Sequence, residues 1–201
     1  MLLTTLLLFW GCSAHQISFH VPPSENIQNR LPFWIAISVP DSTENLTFPS
    51  TLSGGLCEGH EYQLHIGKGM IDAIREGFRS VCDSVVLFSS TDYEEAGKKS
   101  SGKIRYLVTP MIQRIAANVD FSTSAFAVNI KASIHEEVSL TMTNLKRAGD
   151  TIPLSLIHVD GEANGTGRDC HEAVPFLKKA GEAAMLRLRD SVASQLGMLH
   201  L

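Results

Sequence analysis

The chain has 201 residues and a formal net charge of −4, with 44% hydrophobic and 19% charged residues. That length suits one domain or two small ones. Fifteen Gly and eight Pro exclude collagen-like and low-complexity classes, the apolar share excludes wholesale disorder, and the acidic balance argues against an electrostatic nucleic-acid binder. Four Cys are too few for a disulfide scaffold.

Residues 1–10, MLLTTLLLFW, form an uncharged apolar run closed by Gly11-Cys12, and the chain turns polar at Ser13. The run is half the roughly 20 residues a helix needs to span a bilayer, and it has the length of the apolar core of a secretory signal. A buried amino-terminal strand or helix is the plainer alternative. No later stretch is long and apolar enough to suggest an integral membrane helix. The segment Leu6 to Cys12 resembles the lipobox of bacterial lipoproteins, with Gly11 in the position before the modified Cys. The resemblance implies cleavage before Cys12, lipid on Cys12 and, with Ser13 rather than Asp next, sorting to the outer membrane. About 0.8 kcal/mol per buried methylene makes several acyl chains a stable tether. It divides the chain into a signal peptide over 1–11, a lipidated Cys12 with a tether over 12–30, and a single periplasmic domain over 31–201. Pro22-Pro23, Ser24, Glu25 and Asn26 give the tether its composition.

The run 31–39, LPFWIAISV, is apolar and bounded by Pro32 and Pro40, which predicts a buried strand. Residues 41–59 are rich in Ser, Thr, Gly and Pro and read as loop. A short strand is expected over 62–66, and Gly67-Lys68-Gly69 then breaks the chain before a helix over 68–82. Ile71, Ile74, Phe78 and Val81 have the spacing of one buried helical face, with Asp72, Arg75, Glu76 and Arg79 off it. A strand follows over 85–88, then a polar loop over 89–102. The run 104–108 opens a strand that Pro110 demotes to an edge or bulge, with resumption over 111–119. Phe126, Val128, Ile130, Ala132, Ile134, Val138, Leu140 and Met142 alternate with mostly polar odd positions, the period of a half-buried strand. Only Glu136 breaks the apolar face. A straight strand of this length would run about 55 Å, so a bend or bulge is expected near Glu136. Residues 146–150, KRAGD, form a hairpin turn, 152–159 return as partner strand, and 162–168 read as loop. A helix over 173–196 carries the stripe Leu177, Ala180, Ala184, Leu188, Val192 and Leu196, with Pro175 in its first turn.

This order predicts an α+β two-layer sandwich, a mostly antiparallel sheet with both helices on one face. Element order and the terminal Cys resemble small periplasmic domains of envelope lipoproteins, such as the lipopolysaccharide-assembly lipoproteins and the amino-terminal domain of the Tol-system propeller protein. That resemblance covers most of 31–198 and carries over no functional residue except Cys12.

Few residues point to chemistry. With Cys12 set aside, Cys57, Cys82 and Cys170 remain, as one bridge with one free thiol or as three small buried groups. Cys57 and Cys82 flank one strand–helix unit and are the first pair to expect. Gly67-Lys68-Gly69 matches neither a P-loop nor a dinucleotide fingerprint. His135 and Glu137 share the polar face of a strand as a surface pair, and the stretch lacks the second His of a zincin motif. His60 and His65 face opposite sides of an extended segment. Asp169, Cys170 and His171 are a candidate metal set, weighed against a capping box with Asp169 at the N-cap and Glu172 at N3. No serine-hydrolase elbow or cysteine-nucleophile signature is present.

The functional expectation is a non-enzymatic envelope lipoprotein, tethered to the membrane through Cys12 on the periplasmic face of the outer membrane. It would bind a protein partner in an envelope assembly or transport system, with no cofactor and no nucleic acid. The alternatives are a periplasmic small-molecule or cell-wall binding module and, less favoured, a secreted metal-assisted enzyme using Asp169, Cys170 and His171.

Overall fold

The alternating run becomes β7 (Val128–Asn144), in which every even position from Ile130 to Met142 is buried. The structure is a computed structural model that describes residues 14–24, 30–51, 60–89, 103–123, 127–147 and 150–198; Phe126, the first residue of the expected stripe, lies outside them. The elements before β7 are β1 (His15–Ser18), β2 (Leu31–Ser38), α1 (Asp41–Glu44), β3 (Thr47–Thr51), β4 (Glu61–His65), α2 (Ile66–Val81), β5 (Cys82–Phe88) and β6 (Ile104–Thr123). After it come β8 (Thr151–Pro153), β9 (Ile157–Gly167), a 3-10 turn (Cys170–Glu172) and α3 (Ala173–Met198).

The strands form two sheets within an α+β sandwich. The larger has the order β5-β2-β6-β7-β8, with β9 also paired to β7; the smaller has the order β1-β4-β3. The larger sheet is mixed: β2 lies parallel to both β5 and β6, while β6, β7, β8 and β9 are antiparallel. Both long helices cover the face formed by the even positions of β7. All six residues of the expected α3 stripe are fully buried there. The opposite face holds a small cluster of Ala36, Ile104 and Leu107, flanked by Trp34 and Leu145.

The expected irregularity near Glu136 lies on the partner strand. The β6–β7 register runs Ile112↔Val138 and then Arg114↔Glu137, which leaves Gln113 as the extra residue of a bulge. Pro110 does not interrupt β6, because β2 pairs with β6 only as far as Val108. Beyond that point β6 is an edge strand, where a missing N–H is tolerated.

Three segments expected as loop or tether are strand. Residues 15–21 are part of the fold: β1 pairs in parallel with β4, and Ile17, Phe19 and Val21 are buried in the core. Residues 15–21 therefore do not belong to the tether expected over 12–30. Ser24 is held as well, its N–H donating to the Glu76 carboxylate at 3.1 Å. Glu76, expected on the outer side of α2, is 4% exposed and also accepts from Arg79 at 3.2 Å. Over 41–51 the loop reading gives way to α1 and β3, where Pro49 is tolerated because β3 pairs only with β4 among the described residues, while 52–59 lie outside them. The stretch 162–167 is the second half of β9. The inward positions of β9 from Gly161 onward (Gly161, Ala163, Gly165 and Gly167) are small, and α3 lies against Gly161 and Gly165. A Cβ on Gly161 would sit 1.8 Å from the Ala180 carbonyl oxygen, and one on Gly165 would sit 2.4 Å from the Phe176 ring.

Gly67 and Gly69 do not break the chain but lie in the first turn of α2. A Cβ on Gly67 would meet the Thr43 carbonyl oxygen at 2.0 Å, so this glycine lets α1 pack against the helix. Residues 152–159 return along β7 in two pieces, β8 and the start of β9.

Candidate functional site

At the amino-terminal corner, β1 and β4 meet the entry to α3. Cys12, Cys57 and the whole leader over 1–11 lie outside the described residues. Cys82 is a free thiol with no exposed surface; burial, and then the charge of Asp83, push its thiol up to about 12. The expected Cys57–Cys82 bridge is thus not formed, because Cys82 opens β5 with its side chain in the core. Among the described residues, Cys170 is disulfide-bonded.

The same corner disposes of the candidate metal set. Asp169 Oδ1 accepts the backbone N–H of His171 at 2.9 Å and of Glu172 at 3.2 Å, an N-terminal cap. Glu172 reaches back to the N–H of Arg168 at 2.8 Å rather than to that of Asp169, a displaced form of the expected box. Cys170 has no thiolate to offer, and its carbonyl accepts from the Tyr62 hydroxyl at 2.7 Å. Burial and the Asp169 charge both raise the Tyr62 phenol above its ordinary value. The His171 ring stands edge-on to His15 at 4.8 Å and to His60 at 5.7 Å, and His15 stacks on Tyr62 at 5.6 Å. Asp169, Cys170 and His171 therefore form a helix entry rather than a ligand set. His65 faces away from this corner and contacts Gln16.

The His135–Glu137 pair lies on the face of the large sheet away from the helices. The register brings β9 residues to it, His135↔Asp160 and Glu137↔His158. His135 Nδ1 lies 2.7 Å from Asp160 Oδ1, and its Nε2 lies 3.2 Å from Glu137 Oε1. His158 Nδ1 is 3.6 Å from the same Glu137 oxygen. Hydrogen bonding to Asp160, then to Glu137, raises His135 above the ordinary imidazole range. The His135 hydrogen bond, aided by the charges of His158 and Arg114, lowers Glu137. Between the pair, Glu136 points the other way into the core, and neither of its carboxylate oxygens has a partner among the described residues.

A groove of about 920 Å³ opens at the far end of the β6–β7 hairpin. Lys103, Arg105, Lys146 and Arg147 line it against one acid, Asp150, with Phe33 and Tyr106 as apolar wall. Arg105 lies 5.3 Å from the centres of both rings, and Lys103 lies 5.1 Å above the Trp34 ring. No local pattern in the chain marks this site. Its cations come from two segments about forty residues apart, brought together where the β6–β7 ladder ends at Tyr106↔Asn144 and the Leu145 N–H donates to the Arg105 carbonyl. The Gly67-Lys68-Gly69 segment cannot cradle a phosphate with Gly67, whose N–H donates to the Leu46 carbonyl at 3.1 Å.

No protein-family model matches the chain, and no curated protein is detectably similar in sequence. Among solved structures, a Xanthomonas campestris protein described under the family model DUF330 overlays with a TM-score of 0.50 at 8% identity, covering 89% of this chain and 92% of that one. A putative neuraminyllactose-binding hemagglutinin homolog from Helicobacter pylori gives 0.48 at 11% identity, over 88% and 89% of the two chains. A minor lipoprotein from Acinetobacter baumannii gives 0.35 at 7% identity, over 81% and 91%. What the chain shares with the Xanthomonas protein is a fold, across nearly the full length of both.

Proposed function

We propose that this chain is a non-enzymatic envelope lipoprotein, tethered through Cys12 to the periplasmic face of the outer membrane. Its α+β domain acts as an accessory or adaptor in an envelope assembly or transport system. One observation carries the reading: the apolar run Leu6 to Cys12 closes on the Gly-Cys pair of a lipobox. The lipobox-like run ends at Cys12, and β1 begins at His15. Among the described residues, no helix is long and apolar enough to cross a membrane.

The reading constrains the disulfide. A thioether to lipid uses the Cys12 sulfur, and Cys82 is free, so in a lipidated chain Cys170 pairs with Cys57. Radiolabelled palmitate should enter the wild-type chain and not Cys12→Ala. A non-reduced digest should yield a Cys57–Cys170 peptide. Equal label in both chains, or a Cys12–Cys170 peptide, overturns the anchor.

The basic groove favours a second reading, a binding module for an anionic small molecule or cell-wall fragment, because four cations face one acid across an aromatic wall. Charge reversal at Arg105→Glu and Arg147→Glu separates the two. Loss of a defined envelope complex from detergent-solubilised membranes supports the adaptor. Loss of an anionic ligand, with no protein partner captured by the wild type, supports the binding module.

A further inference from the structure

His135, Glu137 and His158 each offer one ligand atom, and these atoms lie within 4.8 Å of one another. Donors around a tetrahedral zinc ion sit about 2.0–2.1 Å from the metal, and so roughly 3.3 Å apart. The two contacts to Glu137 Oε1, 3.2 Å from His135 and 3.6 Å from His158, are already near that spacing. The remaining closure falls on His158, whose side chain is 55% exposed and free to swing. We propose that this cluster is a zinc site, with His135 Nε2, Glu137 Oε1 and His158 Nδ1 as protein ligands and the fourth position open to solvent.

The surroundings support metal over a chance surface pair. His135 is held through its second nitrogen by Asp160 at 2.7 Å. A carboxylate behind a metal-bound imidazole fixes the tautomer, leaves the Nε2 lone pair free and makes it more basic. Asp160 is itself anchored, since Arg187 on α3 donates to its backbone carbonyl. The frame is rigid: all four residues stand on the paired strands β7 and β9, with cross-strand partners in register. Two imidazoles and one carboxylate suit zinc and its first-row neighbours rather than magnesium or calcium, which favour all-oxygen sets. A bound ion would clip β7 to β9, which is an edge strand over that stretch.

Protons compete for the same atoms. The charged groups facing His135 are Glu137 on its own strand and Asp160 and His158 on β9, with Arg114 of β6 beside Glu137. A proton on either imidazole removes a donor, so zinc affinity should fall as pH is lowered.

The test uses the full chain, with any affinity tag removed, stripped with chelator and titrated with zinc chloride or magnesium chloride. Zinc should raise Tm by about 5 °C at saturation, and magnesium should leave it unchanged. His158→Ala, an exposed position that should fold normally, should lose the zinc response while keeping the metal-free Tm. Asp160→Asn should weaken zinc binding about 10–100-fold by calorimetry without abolishing it. No zinc response in the wild type overturns the site. An equal response in wild type and His158→Ala overturns it too, by placing the ion elsewhere, such as among His15, His60 and His171.

Discussion

Glu136 is a buried carboxyl whose two oxygens have no partner among the described residues. It is 1% exposed, and burial raises its carboxyl to about 7, from 4.5 in an open chain, although the neighbouring His135 charge pulls the other way. Because the folded value is the higher one, the folded state holds a proton that the unfolded state has released between about pH 4.5 and 7. Stability therefore falls as pH rises through that window and stays lower above it, by about 3 kcal/mol. Glu136→Met should be more stable than wild type by about that amount at pH 8. The advantage should shrink towards pH 5, read by urea denaturation at both values. Glu76 behaves in the opposite sense. Burial raises its carboxyl, but the Ser24 N–H and the Arg79 and Arg75 charges together outweigh that and lower it. Its contribution is present above the open-chain value and is lost as pH falls through the lowered one. Glu76→Gln should cost about 2 kcal/mol at pH 7, seen as a shift in denaturation midpoint that narrows in acid.

Among the elements, close helix–strand and helix–helix approach is set by glycine. A Cβ on Gly161 would meet the α3 backbone at Ala180, whereas one on Gly181 would meet the Phe19 ring at 2.0 Å. A helix backbone yields less readily than a side chain. Gly161→Ala should therefore cost more than about 3 kcal/mol and Gly181→Ala about 2 kcal/mol. Phe19→Ala should recover part of the loss in the Gly181→Ala chain, which a double-mutant cycle by thermal denaturation would read. The same packing explains which elements were legible beforehand. β7 and α3 announce themselves because their buried positions hold large apolar groups at periods of two and about 3.6. The second half of β9 also alternates, but its inward residues are glycine and alanine, so composition points to loop. Residues 15–21 carry a full alternation, Ile17, Phe19, Val21, which the neighbouring Pro22-Pro23 and the preceding leader obscure. The metal-like cluster was half visible: His135 and Glu137 share a face by parity, whereas His158 and Asp160 join them only through the β7–β9 register. The basic groove, assembled from distant segments, was not visible at all.

For the whole molecule, the amino-terminal segment closes the core. Ile17, Phe19 and Val21 are each at most 7% exposed, and Phe19 wedges between Gly69 of α2 and Gly181 of α3. Burying three such side chains contributes about 6 kcal/mol, comparable with the entire stability of a domain this size. A chain that begins at residue 31, the boundary composition suggests, should be unfolded or insoluble, whereas one that begins at residue 13 should melt cooperatively by circular dichroism.

The short step from Cys12 to β1 also fixes how the domain would stand. Three residues reach about 11 Å at full extension, so an anchored domain has almost no leash. His15 packs against His171, just beyond the end of β9, where Gly167 is paired with Val128 at the start of β7. From that end the β6–β7 hairpin runs to Tyr106↔Asn144, a length of about 50 Å at strand rise. The amino-terminal corner and the basic groove thus occupy opposite ends of one long hairpin. In a lipidated chain its foot would lie at the bilayer, and its charged head would be held a fixed height above the lipid, where a partner of set dimensions would meet it.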